Sequence, residues 1–263
     1  MALRAYDVSS WGFFRFHGPD VKKFLQGLVT ADMGKLAPGV CLPACVLTPK
    51  GLLVADCELY EETPETILAV TRPGAAIGFL AAFEKKIMLS DSSLKALRSQ
   101  QAWLIVGDGF DRGLPWPRLS EPARLLLGVD PPEDADFMTD AEFEALRVSS
   151  GFPLFGADMN ADSLPLEARQ DAAISMEKGC YMGQETVSRI VFRGHVNKIL
   201  MGVKGKVSAG DAVLRDGREI GRVTSAAEGT GFALVRYEDA KPGAADGAEL
   251  FVFSGWPKPL SKG

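Results

Sequence analysis

Lys178-Gly179-Cys180-Tyr181-Met182-Gly183-Gln184-Glu185 is the stretch that decides how the rest of this sequence is read. Two glycines flank a cysteine and a tyrosine, and a lysine precedes them. Glycine lets a backbone take positive φ or approach another group closely, so the segment predicts a tight turn rather than a regular element. A neighbouring ammonium favours the thiolate form of a cysteine, so Cys180 is a candidate nucleophile or soft ligand. The residues alone leave two readings open, a functional loop and a structural turn with an inert thiol. The other three cysteines, Cys41, Cys45 and Cys57, lie in apolar runs and fit small core residues. No Cys-x-x-Cys pair occurs, and four irregularly spaced cysteines are too few for a disulfide framework. A reducing, cytoplasmic setting is therefore expected.

On the C-terminal side, Arg189-Ile190-Val191-Phe192-Arg193-Gly194-His195-Val196-Asn197-Lys198 gathers basic and titratable side chains on what reads as a strand or loop. Arg189 and Arg193 offer fork-shaped donors to a carboxylate or phosphate, against the alternative of a solvated face. On the N-terminal side, Glu167 follows Leu164-Pro165-Leu166. A carboxylate on that proline-stiffened approach suits the donor edge of a heterocycle, or is simply an acidic loop residue.

Further out, the chain reads as α+β. Val21, Phe24, Leu25 and Leu28 mark a helix over 20–29. Thr48-Pro49-Lys50-Gly51 turns a hairpin between strands at 40–46 and 52–60, followed by a strand at 66–71 and a helix over 75–86. Strands are expected at 102–106 and 124–128, and Thr139 with Glu142 caps a helix over 139–150. From Ile199 to Phe253, short strands with Gly and Pro breaks predict a small β-barrel or sandwich.

The 263 residues suffice for two or three small folding units. Their 46% hydrophobic and 24% charged residues exclude a disordered or fibrous chain. The net charge of -5 argues against a protein that coats nucleic acid or an anionic membrane, so neither is expected as a partner. No signal peptide or membrane span is expected. Two histidines are too few for His-rich metal sites, and no serine-hydrolase elbow or phosphate loop is present, so no metal site is assigned.

The octapeptide 178–185 resembles the signature of the YgfZ family, folate-binding relatives of the glycine-cleavage T-protein (aminomethyltransferase) that include mitochondrial iron-sulfur cluster assembly factors. Further blocks resemble it in the same order: Gly18-Pro19-Asp20, Phe24-Leu25-Gln26-Gly27, Lys50-Gly51 through Asp56, Gly151-Phe152-Pro153, Pro165-Leu166-Glu167 and Arg193-Gly194-His195-Val196-Asn197. The resemblance implies an aminomethyltransferase (GcvT)-like three-domain arrangement. A folate-binding region would fill 1–198, its N-terminal domain interrupted by a ferredoxin-like α+β unit at about 40–130. A C-terminal β-barrel would fill 199–255 and a flexible tail 256–263. It further implies tetrahydrofolate or a one-carbon derivative as cofactor, held by Glu167 at the pterin and by Lys178, Tyr181, Gln184, Arg189 and Arg193. Cys180 would be the functional thiol, and the iron-sulfur assembly machinery or its client proteins the partners.

T-proteins carry adjacent aspartates after a Gly-Gly, whereas this chain has Ala55-Asp56, so a carboxylate pair is reduced to Asp56. That departure favours an accessory protein in assembly or repair of iron-sulfur proteins. The competing expectation is a folate-dependent aminomethyl or one-carbon transferase in which Asp56 or Glu167 does acid-base work.

Overall fold

The computed structural model describes residues 2–98, 100–258 and 260. Its framework is two five-stranded sheets and one six-stranded sheet. The first sheet runs Leu42–Leu47, Leu53–Thr63, Thr66–Thr71, Gly12–His17, Ser93–Ala96, all antiparallel. Its strand Gly12–His17 shows why it is buried on both sides. Phe14 and Phe16 point to one face and Phe13 to the other, as the two-residue period of a strand requires. Phe14 and Phe16 meet Phe79 and Phe83 of helix α2 (Pro73–Ile87), which with α1 (Val21–Gln26) covers that face. Phe13 joins Tyr60, Leu68 and Val70 against the second sheet and helix α3 (Asp140–Ser149).

The second sheet is ordered Asp136–Phe137, Arg4–Asp7, Ala102–Val106, Ala123–Leu127, Leu114–Pro115. Residues 40–130 therefore make no sheet of their own. Thr66–Thr71 and Ser93–Ala96 pair with Gly12–His17 and Ala102–Val106 pairs with Arg4–Asp7, so the expected ferredoxin-like boundary does not correspond to a sheet boundary. Chain-terminal strands with mixed polarity, RAYD and GFFRFH, carry no clean alternation, yet they complete both sheets.

The third sheet is ordered Ala212–Arg215, Arg218–Ala227, Thr230–Arg236, Lys198–Gly205, Ala248–Phe251, Gly243–Ala245. Its two edges are stitched by Asp246 N donating to Leu214 O and by Arg215 Nε donating to Ala244 O, giving a nearly closed barrel. The barrel interior is not separate from the rest. Val203, Ile220 and Val235 share one core with Leu47 and Leu53 of the hairpin, Tyr181, and Val187 and Val191 of helix α4 (Gln184–Arg193).

Two expectations need correction. The segment 189–198 is not a strand or loop: Arg189–Arg193 are helical, because Val187 and Val191, one helical turn apart, drop into the shared core. The tail expected from residue 256 is packed at its start. Trp256 stacks near Phe232 and Phe253 and donates Nε1 to Gly151 O at 2.6 Å, and Leu260 N donates to Asp171. Residues 261–263 lie outside the described residues. No helix among those described is long and apolar enough to cross a membrane.

Candidate functional site

The turn 178–183 is held by its own first residue. Lys178 is buried, and its Nζ donates to the carbonyls of Gln26 at 2.5 Å, Val29 at 2.7 Å and Ala31 at 2.7 Å. Three donors meet three acceptors at the end of α1, so the ammonium is fully engaged. Burial lowers its pKa to about 8, with Asp32 acting in the opposite sense. Lys178, expected to contact a cofactor and to favour the Cys180 thiolate, thus spends its three donors on backbone carbonyls. The ammonium also lies 5.1 Å over the Tyr181 ring.

Met182 N donates to Gly27 O, and Gly183 closes the turn at φ 82 before α4 begins. A Cβ on Gly183 would stand 2.7 Å from Thr48 O, and one on Gly51 would stand 2.7 Å from Thr186 Cβ. Gly183 and Gly51 therefore serve one close approach, between the hairpin turn and the start of α4, whereas a Cβ on Gly179 would meet nothing within 4 Å. Gln184 accepts from Tyr181 N with its side chain, bracing the turn that leads into the helix. The Tyr181 ring is in the core and its hydroxyl has no partner among the described residues; burial raises it to about 12.

On this pinned turn Cys180 is exposed. Cys45 and Cys57 are buried and Cys41 is half-buried; burial raises all three thiols, Cys41 to about 12.

Asp56 and Glu58 share one face of the strand Leu53–Thr63, and both meet Arg72 in the interior. Arg72 grips Glu58 with two bonds of 2.6 and 2.8 Å and lies 3.1 Å from Asp56. Trp11, Trp116 and Phe152 surround the guanidinium at 4.8, 5.3 and 4.9 Å. Desolvation raises the Asp56 carboxyl against the pull of Arg72. Asp56, expected in a catalytic place, is thus a buried ion-pair partner of Arg72 and does not line the cavity beside Arg118.

Arg118 connects this cluster to the outside. Its Nε lies 3.5 Å from Glu58, and its side chain lines a cavity of about 460 Å³ where segments from all three sheets meet. Arg169 and Trp256 line the same cavity, with the Arg169 guanidinium 5.0 Å over the indole. Arg169 sits at φ 57, its Nε is buried without a hydrogen-bond partner, and Asp171 is 3.9 Å away. Two loosely satisfied guanidiniums and aromatic faces suit an anionic ligand with a flat ring system, and the volume is that of a small-molecule site.

Glu167 precedes Arg169 by two residues on the same turn. It is half-buried, one oxygen accepts from Leu164 N at 3.1 Å, and the other accepts nothing among the described residues. Arg189 and Arg193 are exposed on α4 and do not line the cavity. The structure thus unites Lys178, Cys180, Tyr181 and Gln184 in one turn and leaves Glu167, Asp56 and the two helical arginines elsewhere. Sequence reasoning missed Arg72, Arg118 and Arg169. The alternation Asp56-Cys57-Glu58 in an apolar strand was a legible sign that a buried cation must answer it.

Residues 2–107 match the family model described as GCVT N-terminal domain, and residues 193–258 match CAF17, C-terminal beta-barrel domain. A tRNA-modifying protein YgfZ from Escherichia coli is 26% identical, with 92% of this chain and 84% of the relative covered. An uncharacterized protein of Haemophilus influenzae is 27% identical over 71% of this chain and 68% of its own length. Among solved structures, glycine cleavage system aminomethyltransferase T from Bartonella henselae superposes with a TM-score of 0.79 at 15% identity, covering 99% of this chain and 88% of that one, which establishes the fold. The chain thus joins a segment similar to the GCVT N-terminal domain to one similar to the CAF17 C-terminal barrel, with the Lys178–Glu185 turn packed between them, and over most of its length it is similar to proteins named tRNA-modifying protein YgfZ.

Proposed function

We propose that this protein is a folate-binding accessory factor for iron-sulfur proteins, with Cys180 as its functional thiol. The observation that carries the reading is the presentation of Cys180: of four cysteines it is the exposed one, on a turn fixed by three Lys178 hydrogen bonds. Iron-sulfur clusters, as cargo, take thiolate ligands, and a rigid exposed thiol is suited to transient contact with a cluster or a client protein. Several curated relatives are named tRNA-modifying protein, which supports an output in tRNA modification.

The folate part rests on the cavity beside Arg118 and Arg169. Their guanidiniums suit the glutamyl carboxylates of a folate. Glu167, two residues before Arg169 but outside the cavity lining, has a free oxygen of the kind that the donor edge of a pterin requires. A bound folate would supply the one-carbon carrier; the residues named here would only bind and orient it. Anaerobic calorimetric titration with tetrahydrofolate and its 5,10-methylene form tests this. Saturable binding without altered folate product is the expected result. Turnover would make the protein a one-carbon transferase, and no binding would remove the folate from the account.

A further inference from the structure

We propose that the outer face of α4 and the adjoining barrel rim form a binding strip for single-stranded RNA. On α4, Arg189, Phe192 and Arg193 fall at i, i+3 and i+4, so they share one face, and Phe192 is 51% exposed. The loop that follows carries His195, whose ring stacks on Tyr237 with centroids 4.6 Å apart and planes 5° from parallel; Tyr237 is 43% exposed. Tyr237 N donates to Asn197 O, which ties this stack to the first barrel strand.

There Lys198 stands directly opposite Arg236 in the antiparallel register, both exposed. Like charges across a strand pair repel at a cost to the sheet, and neither is neutralised by an ion pair among the described residues. The same holds for Arg189 and Arg193. Of the acids close by, Asp239 is engaged with Arg218 and Glu219 with Arg222, while Glu238 and, one helical turn before Arg189 on α4, Glu185 are exposed exceptions. Lys198 and Arg236 also border a groove of about 440 Å³ on the barrel surface.

A protein of net charge -5 therefore concentrates unpaired cations along one edge and interleaves them with exposed rings. Phosphates answer the cations, and unstacked bases answer the rings, the pairing by which proteins hold single strands. An acidic peptide would use the cations but not the rings. The strip involves neither the cavity nor Cys180, so it stands or falls apart from the proposed folate site.

Fluorescence anisotropy of a labelled short oligouridine on the full chain tests the strip. Binding should weaken steeply between roughly 50 and 200 mM salt. The combined Arg193→Glu, Lys198→Glu and Arg236→Glu protein should bind at least about tenfold more weakly, with a salt slope lower by about 2. Tyr237→Ala should weaken binding while keeping the salt slope, and Arg193→Gln provides a milder charge change if the triple variant unfolds. An unaltered thermal midpoint assures that each variant is folded. Absence of salt-dependent binding in the wild type, or undiminished binding by the folded charge variants, would overturn the proposal. So would equal competition by polyglutamate, which would identify an acidic protein surface as the partner.

Discussion

Gly183 and Gly51 lie back to back: a Cβ on Gly183 would come within 3.1 Å of the Gly51 Cα. That approach joins two motifs 132 positions apart in sequence, the hairpin turn and the turn carrying Cys180. It also sets where α4 starts and hence how Val187 and Val191 enter the shared core.

Gly183→Ala should therefore destabilise the protein by at least about 2 kcal/mol, from a left-handed backbone on a non-glycine residue plus collision with the Thr48 carbonyl. Gly27→Ala is the control. Its φ is -84 and a Cβ there meets nothing within 4 Å, so it should be neutral or stabilising by about 0.4–1 kcal/mol. Urea unfolding of both proteins checks the contrast.

Lys178→Met should cost on the order of 2–3 kcal/mol, because the carbonyls of Val29 and Ala31 lose their cationic donor inside the protein. Lys178→Arg should not restore the loss. A planar fork cannot converge on three carbonyls that a single Nζ reaches. Denaturant midpoints of the two variants measure this, and full rescue by arginine would show that charge alone matters.

Thiol chemistry should follow burial. A disulfide-exchange reagent at about pH 8 should modify Cys180 first, with Cys41 slow and Cys45 and Cys57 silent until denaturant is added. Mass spectrometry of the singly modified protein identifies the site. First modification at any other cysteine would contradict the described placement of the turn.

Glu58→Gln should destabilise by about 3–5 kcal/mol, since it leaves Arg72 and Arg118 short of their shared anion. Asp56→Asn should cost less, because Asp56 meets Arg72 through one longer contact of 3.1 Å. Thermal unfolding ranks the pair, and a larger loss at Asp56 would reverse the assignment of Glu58 as the main partner.

Much of this architecture is legible in the sequence where periodicity is strong. The Thr48–Gly51 hairpin, the capping box of Thr139 with Glu142, and the barrel strands all stand near their expected places. Helix α4 is not legible, because Thr186, Val187, Ile190, Val191 and Phe192 have β-type side chains and only the shared core makes them helical. The role of Lys178 is hidden for a similar reason. Sequence places it beside Cys180, whereas its hydrogen bonds go to residues about 150 positions earlier. Arg118 and Arg169 come together through tertiary structure from loops without periodicity.

The central claim is that Cys180 acts and the rest of its turn positions it. Its most direct test is the activity of iron-sulfur enzymes in cells lacking this protein and supplied with the Cys180→Ala variant. The account predicts that the variant accumulates as folded protein yet fails to restore those activities. Restoration equal to that by the wild-type chain would contradict it.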